Sequence, residues 1–286
     1  MPSTNGHPDA DLHPVATGPA IRLVEAHKEA APHILYSGWF CPFVQRSWIT
    51  LEEKQIPYQY NEINPYHKDP EFLKLNPRGL VPTLGCPVSG GQKGEDGVER
   101  KPLIESNIIS EYLDSLPSER PALYASDLYT RAQQKVWIDF VGTRIIPAFH
   151  RLLQHTPEKQ YSLEDAKLEL RGHLRTWIAE ASQEGPYWSG KEMSMVDVTL
   201  APWAVRLWIY DHFKGIKDLV PAEGQGGDDE KIWKRWRQWS KAIEERESVS
   251  NTLSDREHYL PIYQRYAEDR AQSELAKATR QGRGVP

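Results

Sequence analysis

The stretch Phe40-Cys41-Pro42-Phe43-Val44-Gln45-Arg46 puts a thiol beside a proline where a short apolar run gives way to a helical pattern. Proline is tolerated at the first helical position, where its missing N–H is harmless, so Cys41 falls at or near the N-cap. There the unbonded amides and the positive end of the helix dipole favour a thiolate, and cysteines at such sites ionise at pKa values as low as ~3.5–7.5. This makes Cys41 a candidate nucleophile; the bland alternative is a small buried cysteine, the commoner fate of a lone thiol. Position 44 is valine, so no second thiol stands ready to resolve an intermediate. Redox chemistry here would be monothiol, with an external thiol completing the cycle. Cys86, in Leu84-Gly85-Cys86-Pro87, follows a strand instead of opening a helix and reads as a packing residue.

Two further stretches have the chemistry to hold a small charged ligand. In Asn76-Pro77-Arg78-Gly79-Leu80-Val81-Pro82-Thr83-Leu84, Gly79 supplies a permissive backbone position and Pro82 stands ahead of a strand. A cis bond before Pro82 would leave the Val81 backbone unpaired, although only about one X-Pro bond in twenty is cis. In Ile104-Glu105-Ser106-Asn107 a strand runs into a helix, with Ser106 as its N-cap. A helix N-terminus beside Glu105 suits a zwitterion, whose carboxylate meets the amides and whose ammonium meets Glu105. A plain serine cap accounts for the same residues.

The elements that must position these groups follow from the periodicity. His33 to Tyr36 reads as a strand, Phe43 to Gln55 as a helix and Tyr58 to Ile63 as a second strand. Short strands at Pro82-Thr83-Leu84 and Leu103-Ile104 and a helix from Ser106 to Leu116 complete a βαβ-ββα pattern. The Gly-rich, charged run Ser89 to Gly97 between the two short strands is expected to be a long, mobile loop. From Leu128 the pattern is helical only, with apolar residues at Ala132, Val136, Trp137, Phe140, Val141 and Ile145 and further helical segments at 162–182, 194–213, 229–247 and 255–275. The class expected is therefore α/β plus all-α, an N-terminal domain over 32–117 followed by a C-terminal helical bundle over 122–268. The Pro117-Ser118-Glu119-Arg120-Pro121 linker divides them. Residues 1–31, rich in Pro, Ala, His and Gly, are expected to be a disordered tail, and 269–286 a frayed one.

Composition narrows the function classes. With 35 basic against 40 acidic residues the net charge of −5 gives no general pull toward nucleic acid or anionic lipid. Two cysteines cannot build a disulfide framework, and no Cys/His spacing approaches a zinc pattern, so no metal is expected and a reducing compartment fits. No secretory signal and no apolar run of membrane-spanning length occurs, and the expectation is a cytoplasmic protein without a membrane partner. The 10 Trp and 13 Tyr against 3 Met must either pack a core or line a cleft.

Taken together, Cys-Pro-Phe at the first helix, Gly-Leu-Val-Pro before the third strand and Glu-Ser before the third helix resemble the thioredoxin-fold half of a glutathione transferase. The likeness is to the omega class, with its catalytic cysteine, in a fungal-type sequence. In the second half, Ser194-Met195-Val196-Asp197 is a capping box like that of the core helix in the superfamily's α domain. The resemblance spans about residues 33–265. It implies a thioredoxin-like glutathione-binding domain, a helical acceptor-binding domain, glutathione as co-substrate and a homodimer. Residue by residue, it implies that Cys41 meets the glutathione sulfur, that Val81 pairs its backbone with the cysteinyl part and that Glu105 and Ser106 hold the γ-glutamyl end. Phe43 would lie beside glutathione, and Lys68 would match a lysine near the glycyl carboxylate if a one-residue gap precedes Asp69-Pro70-Glu71. Pro202-Trp203-Ala204-Val205-Arg206 resembles the family's Pro-Trp-x-x-Arg, so Trp203, Arg206 and the aligned Trp239 are expected at the acceptor pocket; ordinary core packing is the alternative for the tryptophans. The hairpin over 86–101 and the 31-residue tail are longer than the resemblance leads one to expect.

The activities implied are thiol transfer (deglutathionylation) and dehydroascorbate reduction, acting on a small hydrophobic or glutathionylated acceptor. A first rival is a pathway-specific glutathione transferase or isomerase acting on an aromatic small molecule in secondary metabolism, which the same fold permits. A second is a non-catalytic or membrane-inserting relative, since intracellular chloride channel proteins share a similar Cys-Pro-Phe-x-Gln-Arg stretch. Here the helix continues Thr50-Leu51-Glu52-Glu53-Lys54-Gln55, and each Asp, Lys or Arg at mid-bilayer opposes insertion by ~2.5–3.5 kcal/mol. Prion-like regulators of the fold carry an Asn-rich arm, whereas this tail has only Asn5.

Overall fold

The structure is a computed structural model that describes residues 12–64, 67–94 and 96–285. The chain divides into two compact units, Met1–Ala122 with Arg246–Tyr259, and Leu123–Glu245 with Leu260–Pro286.

In the first unit the elements are α1 (Gly18–Ala26), β1 (His33–Ser37), α2 (Pro42–Lys54), β2 (Tyr58–Glu62), α3 (Pro70–Leu75), β3 (Thr83–Lys93), β4 (Glu99–Ile104) and α4 (Ser106–Ser115). The four strands form one sheet in the order β2-β1-β3-β4. β1 and β2 are parallel, as a crossover through α2 requires, while β3 is antiparallel to both β1 and β4. This is the thioredoxin-like arrangement. Alternation along β1 buries Leu35 completely and turns Tyr36 to the other face, where its ring lies 5.4 Å from Phe72 of α3. α2 packs on α4 and buries Val44, Trp48, Ile49 and Leu51.

The expected long loop over 89–97 is strand as far as Lys93. β3 runs to Lys93, with a register shift between Pro87 and Gln92, and the chain reverses between Gly94 and Val98. Arg100 explains the order: only 4% exposed, it donates to Asp96 and to the carbonyls of Ala31 and Pro32 at 2.8 Å each, tying the hairpin to the base of the sheet. Glu95 of that expected loop lies outside the described residues.

Both expected tails are also corrected. Residues 1–11 lie outside the described residues, but the rest of the N-terminal segment contains α1. The Ala20 amide donates to the Leu253 carbonyl at 3.1 Å, the Thr17 amide to the Ser254 hydroxyl at 3.0 Å, and Ala20 is fully buried. A segment with few apolar residues is ordered because its small side chains let the backbone dock closely on a distant part of the chain. That part, 246–259, includes α11 (Glu247–Ser250), which packs on α2. Arg246 grips Glu53 with two bonds of 2.7 and 2.6 Å, and Gln45 donates to Thr252 at 2.9 Å.

The second unit holds α5 (Leu128–Phe140), a π-helical turn Val141–Ile145, α6 (Ile146–Leu153), α7 (Leu163–Ala179), α8 (Met195–Ala204), α9 (Ile209–Lys214) and α10 (Glu230–Glu245). α12 (Arg256–Ala267) begins in the first unit and ends in the second, and α13 (Glu274–Arg280) occupies the tail expected to fray. α13 holds because Ser273 caps it, accepting from the Ala276 amide at 3.1 Å, and because Ala276 is fully buried with its carbonyl bonded by Gln154 at 3.2 Å. Among the described residues no helix is long and apolar enough to cross a membrane.

Candidate active site

β1 delivers the chain to the start of α2, and the turn between them fixes Cys41. Cys41 is the N-cap of α2, with φ −79° and ψ 121°, and Pro42 occupies the first turn. Its amide donates to the Gly38 carbonyl at 2.9 Å, and its carbonyl accepts from Gln45 at 3.1 Å. The thiol is partly exposed, with Sγ 4.0 Å from the Val81 carbonyl oxygen. Cys86, in contrast, is 4% exposed; its Sγ points at the Leu84 carbonyl at 3.7 Å, and burial pushes its pKa up to about 11. The two thiols thus differ as their positions in the sequence suggest, one at a helix start and one packed inside.

Val81 reaches Cys41 from the turn before β3, and its bond to Pro82 is cis. Asn76 organises that turn, a role invisible in the pattern. Its side-chain amide donates to the Leu80 carbonyl at 3.1 Å and to Thr83 Oγ1 at 2.9 Å, while its Oδ1 accepts from the Arg78 amide at 3.1 Å. Gly79, at φ +61°, lies against the Lys68 side chain: a Cβ here would stand 2.5 Å from Lys68 Cδ.

At the start of α4 the cap is Glu105 rather than Ser106, which correspondingly becomes the first residue of the helix. Glu105 has φ 70° and ψ 111°, and a non-glycine residue rarely sits at positive φ outside a constrained site. Its carboxylate is exposed and meets Arg78 Nη1 at 3.2 Å, while Lys68 Nζ donates to the Arg78 carbonyl at 3.2 Å. Ser106 is buried, and its hydroxyl accepts from Arg46 Nη1 at 3.3 Å.

Arg46, on α2, is the residue that sequence reasoning passed over. It is 3% exposed, its guanidinium carbon lies 5.5 Å from the Phe43 ring centroid, and burial lowers its pKa to about 9 while interaction with Cys41 raises it. A charged residue amid the buried Val44, Ser47 and Trp48 was the available signal, because an arginine at 3% exposure must be answered by polar partners. Cys41 is thus set against Val81, Phe43 and Ser106 are gathered on Arg46, and Glu105 and Lys68 on Arg78, with Glu105 and Ser106 adjacent in the chain.

The three residues expected at an acceptor pocket are placed otherwise. Trp239 on α10 is fully buried; its indole N–H donates to Asp197 Oδ1 at 2.7 Å, and its ring meets Trp177 edge-on at 4.9 Å. Trp203 is 1% exposed and Arg206 2%, with Arg206 Nη1 donating to the Pro202 carbonyl at 2.6 Å. Side chains so enclosed offer no face to an acceptor: the packing alternative holds for the two tryptophans, and Arg206 is likewise buried rather than exposed to a pocket. The capping box expected at Ser194 and Asp197 is present at the start of α8.

The glutathione S-transferase N-terminal domain family matches residues 40–116, and the C-terminal domain family matches residues 160–242. The crystal structure of glutathione transferase Omega 3C from Trametes versicolor is 40% identical, covers 91% of this chain and all of its own, and superposes with a TM-score of 0.74. Glutathione S-transferase omega-1 of Sus scrofa is 30% identical over 175 residues, 60% of this chain and 66% of that protein. Glutathione S-transferase 3 of Glycine max is 27% identical over 226 residues, 78% of this chain and 90% of that protein. With a thioredoxin-like unit, a helical unit carrying the Ser194–Asp197 box and an omega relative matched over its whole length, the chain belongs to the glutathione transferase family and is omega-like within it.

Proposed function

We propose that the protein is a glutathione-dependent thiol transferase in which Cys41 is the catalytic nucleophile. The observation that carries this reading is the placement of Cys41 Sγ at the N-cap of α2, 4.0 Å from the Val81 carbonyl, with Arg46 interacting with it and bonding Ser106. The N-terminal amides of α2 favour the thiolate, and Val44 leaves no neighbouring thiol to compete for it.

Glutathione carries two carboxylates and one ammonium, and the site answers each. Glu105 takes the γ-glutamyl ammonium and the start of α4 at Ser106 takes the adjoining carboxylate. The Val81 backbone pairs with the cysteinyl residue, Phe43 lies beside it, and Lys68 faces the glycyl carboxylate. In the first half-reaction the Cys41 thiolate attacks the glutathionyl sulfur of a mixed disulfide. The Cys41–S bond forms as the old S–S bond breaks, and the acceptor leaves as its thiolate. A glutathione thiolate then attacks the glutathionyl sulfur on Cys41, giving glutathione disulfide and the free Cys41 thiolate. Dehydroascorbate enters by a different first step: the Cys41 thiolate adds to one of its carbonyls, a glutathione thiolate attacks Cys41 Sγ and expels ascorbate with the electron pair, and a second glutathione then releases glutathione disulfide and the Cys41 thiolate. The acceptor class is a small hydrophobic or glutathionylated molecule, the assembly a homodimer and the compartment the reducing cytoplasm.

The test is mass spectrometry of the protein after exposure to glutathione disulfide. A glutathionyl adduct on Cys41 and none on Cys86 is expected, together with loss of thiol transfer in Cys41→Ser. An unmodified Cys41, or a serine variant with full thiol transferase activity, overturns the assignment.

A further inference from the structure

One half-buried carboxylate, that of Glu62, is tied to the turn that leads into Cys41 and has no part in that chemistry. The chain leaves β1 at Ser37 and reaches α2 at Cys41 through Gly38, Trp39 and Phe40. The Ile63 amide closes the end of the sheet on the Ser37 carbonyl at 2.6 Å, and the Cys41 amide closes the turn on Gly38 at 2.9 Å. Between these two bonds lies the Trp39 amide, which has no strand partner and donates instead to Glu62 Oε1 at 3.0 Å. The other carboxylate oxygen, Oε2, accepts from the Tyr60 hydroxyl at 2.7 Å. The indole is held as firmly as the backbone: Trp39 is 2% exposed, its Nε1 donates to the His13 carbonyl at 2.9 Å, and its ring packs edge-on to Tyr259 at 5.0 Å.

We propose that Glu62 is a positioning residue for Cys41, its carboxylate fixing the turn that presents the thiol and its protonation slackening that turn. The proposal rests on the reading of Cys41 as the reactive thiol. An ionised carboxylate accepts from both donors. Once it is protonated, one oxygen becomes a donor; the Tyr60 phenol can rotate to accept from it, but the Trp39 amide can only donate and is left on a neutral acceptor. Hydrogen bonds to an ionised acceptor are about twice as strong as neutral ones, so the tie to the turn weakens when the proton arrives.

The setting brings this change into the physiological range. Burial pushes the Glu62 pKa up to about 7, against the opposing pull of the Tyr60 and Trp39 hydrogen bonds. The groups around it among the described residues are the Tyr60 phenol on its own strand, Ser37 opposite in β1 and the Trp39 amide of the turn. Burial holds the phenol well above its ordinary pKa, so Tyr60 stays protonated throughout. Trp39 also meets the His13 ring, which lies 4.1 Å from the His258 ring.

The experiment follows the rate of Cys41 alkylation by iodoacetamide, read on the Cys41 peptide, from about pH 5.5 to 9, a range that spans the carboxyl and thiol titrations. Wild type, Glu62→Gln and Tyr60→Phe are compared after thermal unfolding confirms that each is folded. Glutamine reproduces the protonated carboxyl, so its profile should coincide with wild type at the acid end and fall about fivefold below it on the alkaline side, the size expected for one charge-assisted bond. Tyr60→Phe removes a donor to the carboxylate and should move the step to higher pH. Parallel profiles offset equally at every pH mark a merely structural residue, an unchanged glutamine profile removes the carboxyl as the source of the step, and an unmoved step in Tyr60→Phe breaks the link to the carboxyl; each overturns the proposal. Alkylation reads the thiol directly, so failure of the transferase assignment would show separately as the missing glutathionyl adduct.

Discussion

Replacing Asp197 with alanine removes the acceptor for a converging set of buried donors, and the structure sets the size of the loss. Asp197 is fully buried; its Oδ1 accepts from the Trp188 amide and the Trp239 indole, both at 2.7 Å, and its Oδ2 from the Ser194 amide at 2.8 Å and hydroxyl at 2.6 Å. The hydroxyl can turn elsewhere, but the two amides and the indole cannot, and each buried donor left unsatisfied costs about 1–3 kcal/mol. Loss of the α8 cap adds about 1 kcal/mol. These terms overlap, so the net destabilisation expected is about 3–5 kcal/mol, a large part of the ~5–15 kcal/mol typical of a folded protein. Asparagine keeps one oxygen and its two donors and lets the Ser194 hydroxyl accept from the new amide, leaving one donor opposed and a loss of about 2 kcal/mol. Urea denaturation followed by circular dichroism measures both variants, and hydrogen exchange at the Trp188 and Ser194 amides reports the local event. An alanine variant within about 1 kcal/mol of wild type, or an asparagine variant worse than alanine, would refute the reasoning.

Two other perturbations separate binding from folding within the first unit. Gly79→Ala forces a left-handed backbone on alanine, at about 1–2 kcal/mol, and drives its Cβ into Lys68 Cδ and Leu73 Cδ2, so glutathione titration should show affinity weakened several-fold while kcat is retained. Unchanged affinity would remove Lys68 from the site. Asp114→Asn leaves the Lys54 ammonium, 3% exposed and 3.3 Å from Asp114 Oδ1, without its counter-charge beside the Arg120 and Pro121 carbonyls. A loss of about 3–5 kcal/mol is expected in thermal or urea unfolding, largely recovered by Lys54→Met with Asp114→Leu; an equal loss in the double variant would mean that packing, not charge, governs the position.

The parts of the fold legible in the sequence were those whose causes are local. The helix expected from Phe43 begins one residue earlier, at Pro42, because proline at the first position declares its own start. β1 and β2 lie within a residue of expectation because two-residue alternation is read directly. What was missed depends on residues far away. α1 is ordered by Leu253 and Ser254, and the hairpin by an arginine reaching back to Ala31 and Pro32, and no window of sequence contains both ends of either contact. The short α3 is a different failure, because its signal was local: Asp69 accepts from the Glu71 amide at 2.8 Å, and Pro70 stands in the first turn.

The site divides the same way. The place of Cys41 at the N-cap of α2 could be read because a helix start and a thiol coincide in adjacent letters. The tryptophans could not be sorted, because helical spacing says which side chains share a face but not what lies behind that face. Trp233, Trp236 and Trp239 are all nearly or fully buried, and what makes Trp239 structural is a carboxylate on another helix, Asp197, which takes its N–H. Glu62 is the converse case. In the pattern Tyr58-Gln59-Tyr60-Asn61-Glu62 it reads as the polar end of a strand, whose cheapest arrangement points the carboxylate to water. It turns inward because the neighbouring turn carries an amide with no strand partner, and a buried donor must find an acceptor. The turn that leads into Cys41 therefore creates the demand that Glu62 meets, through Trp39, although 21 positions in the sequence separate Glu62 from Cys41.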